Sequence, residues 1–423
     1  MDEYTTEQAV RQEAIRRRLQ GESRAEICRD LERSTSWFDK WWRAYRDDPQ
    51  IDFTEQSRAP HTSPQAIPEP VIAAVVSARK ILEAGKTPDT RYGFIGAASI
   101  QTYLDRLGIA PLPSVPTIQR ILAVHGLTHP LGAGTDTAYY PWPTAWEVNA
   151  IHATDIITRH LRGGEKIENF HTIDLFSQAV HLTRPLDKTS AAATDHLRKT
   201  WAKLGMPHLQ QFDNDDVFRG GHTHPRVLGQ VVKLCLFCGI EPFFTPIYEA
   251  KRNYQIETFH GLWVSGFWSR HTFANRTQVD QEVPLFEHWY HTVYRPPELE
   301  GYTPAQMRRG IVIQRLTPDL QRLIPQERLP ITAGRVHIMR KVDTTGQVSF
   351  LNETWSVGSK WMGEYVRATI NTAKQVVTFW HQAEAQADWH LIKTRQFRLN
   401  ESVHDLLPAF RRKCTRCRDC WPD

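Results

Sequence analysis

Hydrophobic positions change their spacing several times along the chain. Over residues 6–46 they recur every three to four residues, which predicts short amphipathic helices at 6–19, 24–31 and 34–46, with Gly21-Glu22-Ser23 as the turn and cap between the first two. In the third helix Phe38, Trp41 and Tyr45 fall on one side and Ser36, Lys40 and Arg43 on the other. Residues 47–70 lose this period and carry Pro49, Pro60, Pro64, Pro68 and Pro70, which reads as a linker. Helical spacing returns at 71–84, 97–107 and 116–125, the last capped by Ser114 or Thr117. Residues 126–143, interrupted by Pro130, Gly132, Gly134 and Pro141, read as loop.

From about 146 to 295 short apolar runs alternate with helical ones. The order is strand 148–159, strand 167–176, strand 178–185, helix 189–204, strand 208–213, helix 227–238, strand 241–245 and a further helix. That last helix follows Lys251 and Arg252 and has Ile256, Phe259, Trp263 and Phe267 on one face. Over 331–400 the period drops to two, predicting strands at 335–340, 347–351, 354–357, 365–370 and 375–380 between turn residues. The expected fold is therefore multidomain: all-α modules, an α/β core and a small C-terminal β-barrel, which grips a partner or docks on its own chain.

A length of 423 residues agrees with three or four domains. No apolar run reaches membrane-spanning length and the acidic N-terminus is unlike a signal peptide, so an intracellular protein without membrane contact is expected. Six cysteines make no disulfide framework. Cys235 and Cys238 read as buried apolar thiols, whereas Cys414, Cys417 and Cys420 lie in a basic tail and lack a fourth zinc ligand beside them. Charge is uneven: 17 basic and 17 acidic residues over 1–130, 16 against 19 over 131–306, and 19 against 11 over 307–423. A polyanion would be held by the last third and by local basic faces.

The candidate chemistry is carboxylate chemistry. The strand at 208–213 ends in Asp213-Asn214-Asp215-Asp216, and carboxylates so crowded stay ionised together only around cations, Mg²⁺ or Mn²⁺ for an all-oxygen set. A solvated acidic turn is the alternative. Asp155 lies inside an apolar strand pattern, and Glu257 on the margin of the helix face that carries Ile256 and Phe259. Asp174 reads as a local hydrogen-bonding residue, and Asp215 and Asp216 either touch metal or only close the turn.

The order of the three acids, with an Asp-Asn pair at the second and Asn253-x-x-x-Glu257 at the third, resembles the retroviral-integrase-like DDE transposases of bacterial insertion sequences. Asp213 follows Asp155 by 58 residues and Glu257 follows Asp213 by 44, the latter lengthened by a Gly/Pro-rich insertion at 219–225. Asp215 stands where many relatives have Gly. The resemblance implies a ribonuclease H-like core in which the first and fourth strands are neighbours. It makes Asp155, Asp213 and Glu257 catalytic ligands of two Mg²⁺ or Mn²⁺ ions that support 3′-end cleavage and strand transfer. It also implies helix-turn-helix modules at 1–48 and 70–128, linkers at 49–69 and 129–145, a core at 146–310 closed by a Thr303-Pro304-Ala305 segment, an SH3-like barrel within 311–400 and a tail at 401–423. Candidate contacts to double-stranded DNA are Ser36, Lys40, Arg43, Arg58, Thr117, Arg120, Lys251 and Arg252. Joining two ends implies a homo-oligomer, at least a dimer, at the bacterial nucleoid. A transposase-derived DNA-binding regulator and a two-metal nuclease that cuts without joining are the alternative readings.

Overall fold

The computed structural model describes residues 7–54, 67–128, 139–220, 224–385 and 387–412, in two units divided between Ala66 and Ile67. The first unit holds α1 (Glu7–Leu19), α2 (Arg24–Asp30) and α3 (Thr35–Asp47). Ser23 starts α2 with a capping box: its hydroxyl accepts from the Glu26 N–H at 3.3 Å, and its own N–H donates to the Glu26 carboxylate at 3.2 Å. Phe38 packs with Ala14, Ile27 and Cys28, and Trp41 with Ile15 and Phe53. Ser36, Lys40 and Arg43 are exposed on the opposite side of α3, as the hydrophobic spacing predicts. Arg58 lies outside the described residues together with 55–66 of its linker, as do Cys414, Cys417 and Cys420.

The second unit begins with α4 (Glu69–Ala84), α5 (Ala97–Arg106) and α6 (Val115–Val124), which close on Val75, Leu82, Ile100, Leu104, Ile118 and Leu122. Ser114, not Thr117, caps α6. This module is clamped to the α/β core. The chain between α4 and α5 inserts Tyr92 edge-on against Phe286 at 5.4 Å and Phe94 against Tyr294 at 4.6 Å.

The core comprises β1 (Ile151–His160), β2 (Lys166–Asp174), β3 (Val180–Thr183), α7 (Ser190–Lys203), β4 (Leu209–Phe212), α8 (Asp216–Arg219), α9 (Gln230–Phe237), β5 (Glu241–Phe244), α10 (Tyr254–Gly266) and α11 (Arg276–Thr292). Strands β1, β2 and β3 are antiparallel, and β4 and β5 add in parallel beside β1, giving the order β3-β2-β1-β4-β5. The first and fourth strands are thus neighbours, as a ribonuclease H-like order requires. Alternation sorts the faces. Ile151, Ala153 and Leu209 pack with Ile256, Phe259 and Trp263 of α10, whereas Phe170 and Phe212 pack with Leu197 and Trp201 of α7 and Val231 of α9.

The C-terminal region departs from expectation. After α12 (Pro304–Met307), α13 (Pro318–Arg322) and β6 (Ile331–Thr332) come β7 (Arg335–Lys341), β8 (Gln347–Phe350), β9 (Glu353–Ser356), β10 (Tyr365–Asn371), β11 (Val376–His381), β12 (His390–Gln396) and β13 (Val403–His404). Strand pairing among the described residues does not close them into a barrel. β7 pairs in parallel with β5 through Phe243–His337 and Phe244–Ile338, so β7, β10, β11 and β12 continue the core sheet, with β8 and β9 as a separate hairpin. The reason is burial on both faces. Val336 and Ile338 join the α9 core, and Met339 packs with Tyr140, Phe243 and Tyr365; a freestanding barrel would leave one face of β7 to solvent. Among the described residues no helix is long and apolar enough to cross a membrane, and Cys235 and Cys238 are buried free thiols.

Candidate active site

The middle of β1, the end of β4 and the first turn of α10 meet on one face of the sheet. The β1–β4 register ends at Thr154 and Phe212, so the next residues, Asp155 and Asp213, stand side by side on the face toward α10. There Gln211, two residues before Asp213, donates its amide to the Asn253 side-chain oxygen at 2.7 Å. Asn253 immediately precedes α10, and this bond staples the helix start to the end of β4. Glu257 lies one turn further along. Asp155, Asp213 and Glu257 line one cleft of about 540 Å³ together with Asn214, Asp215, Arg219, Thr245 and Asn253, and the wholly exposed Tyr248 stands at its rim.

The three carboxyls are hard to ionise together. Burial, then the Asp213 and Glu257 carboxylates, push Asp155 up to about 8. Burial likewise raises Asp213 and Glu257 above the usual carboxylate range. A divalent cation is the charge such a set lacks. The donors fit one: an oxygen of Asp155, an oxygen of Glu257 and Nδ1 of His260, one turn after Glu257 on α10, lie within 4.8 Å of one another, with Nδ1 3.9 Å from both carboxylates, while Asp213 lines the same cleft. Burial, helped by Arg159, keeps the His260 imidazole neutral, with its pKa down to about 4.

The rest of the acidic block closes the turn. Asp215 caps α8, accepting from the Val217 N–H at 3.1 Å, and takes the Lys188 ammonium at 2.5 Å. Asp216 is exposed and paired with Arg219 at 2.8 Å. Asn214 is gripped from the C-terminal region: buried Arg340 on β7 donates to its side-chain oxygen at 2.7 Å and to the Thr245 carbonyl at 3.1 Å. Asp174 is fully buried at the opposite end of β2, where it holds Arg308 at 2.8 Å, Ser177 and the Asn149 N–H. The segment after Thr303 therefore serves the fold by delivering Arg308.

Of the candidate DNA contacts, Arg120 and Lys251 are exposed, and the half-buried Thr117 shares its hydroxyl with Ser114 at 3.0 Å. Arg252 is corrected. It is 8% exposed, with its guanidinium 4.6 Å from the Tyr140 ring and 5.0 Å from the Tyr365 ring, bonded to Glu249 and the Tyr365 hydroxyl at 3.0 Å. Flanking aromatic rings and an acid make it a structural cation, not a phosphate contact. His260, Gln211, Lys188 and Arg340 were not singled out from sequence. Only the Glu257-x-x-His260 spacing carried a signal; the other three act through contacts between distant segments.

Neither a protein-family model nor a curated protein matches this chain. Among solved structures, the chain is similar to the HTLV-2 integrase catalytic core domain in complex with magnesium, in its trimeric form, at 15% identity and a TM-score of 0.31, over 39% of this chain and 99% of that one. It is similar to a chain of the simian T-cell lymphotropic virus intasome in complex with PP2A regulatory subunit B56 gamma at 15% identity and a TM-score of 0.36, over 74% and 100%. A third likeness is to the catalytic core domain of BIV integrase, at 14% identity and a TM-score of 0.29, over 38% and 93%.

Proposed function

We propose that this chain is a polynucleotidyl transferase of the integrase and transposase kind, cutting DNA at the 3′ ends of a mobile element and joining those ends to target DNA. The observation that carries the reading is the convergence of Asp155, Asp213 and Glu257 from β1, β4 and α10 in one cleft. Divalent cations bound there, two Mg²⁺ or Mn²⁺ in this reading, supply the charge neutralisation and water acidification that an in-line phosphoryl displacement needs. The protein's own part is to hold the acids in place. Strand register fixes the first two, the Gln211–Asn253 bond fixes the helix that carries the third, and Arg340 fixes the loop after Asp213. No covalent protein intermediate is required. The exposed face of α3, with Ser36, Lys40 and Arg43, is the first DNA-reading surface, and Thr117 and Arg120 of α6 with Lys251 are further phosphate or groove contacts. Joining two ends of double-stranded DNA calls for at least a dimer.

The test is incubation with Mg²⁺ and duplexes spanning the DNA that borders the chain's own coding region. Nicked and joined products are expected. Nicks alone would identify a nuclease, and binding without either product a regulator. Asp155→Ala, Asp213→Ala and Glu257→Ala should each abolish both steps while leaving duplex binding; an active variant removes that residue from the site.

A further inference from the structure

We propose that His260 Nδ1 is a direct ligand of the cation held by Asp155 and Glu257, giving that position a mixed nitrogen and oxygen donor set that favours a first-row transition ion such as Mn²⁺ over Mg²⁺. The inference rests on the carboxylates being a cation site, as proposed above, and adds which ion one position selects.

Three observations converge on it. Glu257 and His260 are three residues apart on α10 and so lie on one side of the helix. Their ligand atoms and one from Asp155 all lie within 4.8 Å of one another. Adjacent ligands on a Mg²⁺- or Mn²⁺-sized octahedral ion sit about 3.0 Å apart, so the two 3.9 Å separations from Nδ1 need close by only about 1 Å when an ion binds. Finally, His260 is 6% exposed, yet its Nε2 has no hydrogen-bond partner among the described residues. A buried imidazole left this way calls for a reason.

Behind it stands a second such residue. His171 is the cross-strand partner of Asp155, is fully buried, and has neither ring nitrogen hydrogen-bonded among the described residues. Its ring is 5.0 Å from that of His260. A ligating histidine almost always donates its other N–H to a neighbour that fixes its tautomer. His171 is the group placed to accept from His260 Nε2, as a positioning residue and not a ligand. Imidazole suits transition ions, whereas Mg²⁺ takes oxygen donors and holds its water, which sets the preference.

The experiment titrates the metal-free full chain with MnCl₂, following free Mn²⁺ by electron paramagnetic resonance and ligand nitrogen by pulsed resonance. Bound Mn²⁺ should show nitrogen coupling that is lost in His260→Gln and kept in His171→Gln. His260→Gln should weaken Mn²⁺ binding at least about tenfold, the scale on which even groups bonded to metal ligands act, with a much smaller change for Mg²⁺ in competition. Should His260→Gln fail to fold, wild-type chain carrying ¹⁵N-histidine replaces it: the coupling must change to the ¹⁵N pattern. Mn²⁺ bound without nitrogen coupling, or coupling lost only in His171→Gln, overturns the assignment and leaves the three-acid reading standing. No Mn²⁺ bound by the wild type overturns both.

Discussion

Asp155 and Asp213 each sit one residue past the last paired positions of two parallel strands, Thr154 of β1 and Phe212 of β4. Register alone sets the two carboxylates beside each other, and burial with that proximity holds Asp155 up at about 8. Relative to the unfolded chain, the fold favours the protonated acid. Its stabilisation is fully present below the ordinary carboxylate pKa and is lost as pH rises through about 8. Without metal, Asp155→Asn should therefore match the wild type near pH 4 and exceed it at pH 8 by several kcal/mol. Denaturant melts of both proteins at the two pH values measure this; a difference independent of pH would contradict it.

Removing the staple between β4 and α10 should separate catalysis from binding. Gln211→Ala leaves the Asn253 side chain without its partner and frees the start of the helix that carries Glu257. Strand cleavage should fall about tenfold or more, with duplex affinity within about twofold of wild type. Single-turnover cleavage and fluorescence anisotropy on one duplex report the two quantities.

Arg340 ties the C-terminal sheet to the loop after Asp213. Arg340→Met would remove the buried donor to the Asn214 side-chain oxygen and to the carbonyls of Thr245 and Ser349, leaving the Asn214 amide bond to the Thr245 carbonyl to hold the loop alone. A loss of about 3 kcal/mol in unfolding free energy is expected. Adding divalent cation should restore little of it, because the missing donors are not metal ligands. Urea titration with and without MgCl₂ checks both statements.

The two sets of cations should answer differently to salt. Lys40→Ala and Arg43→Ala on the exposed face of α3 should lower duplex affinity and flatten its dependence on salt by about one phosphate contact each. Arg252→Ala should leave that slope unchanged and lower the melting temperature, since its guanidinium is enclosed by Tyr140, Tyr365 and Glu249. A changed slope in Arg252→Ala would return it to the DNA surface.

The core was legible where local pattern and burial agree. Three strands, a helix and two more strands emerge from the alternation of residues 148–245, and the same alternation puts Asp155 on the face of Ile151 and Ala153. Asp174 was set apart from the three acids by its place at the end of the second strand, and its oxygens accept from Phe176 and Ser177 in the turn that follows and from the distant Asn149 N–H. The strands of 335–380 were also legible, but not their partners. A period of two says that a strand has two faces, and says nothing of what covers them.

By itself, the order of apolar and polar residues determined most of the helices and strands (though not α11 or β12), which side of α3 meets water, and three acids that interrupt or border core elements. These are local matters, set by spacing and backbone preference. Only the tertiary structure decided that β7 joins β5 and carries β10, β11 and β12 into the core sheet, that Arg252 is enclosed by aromatic rings, and that His260 and Arg340 reach the acidic cleft. Each depends on segments far apart in the chain burying surface against one another, and no short stretch of sequence records its distant partner.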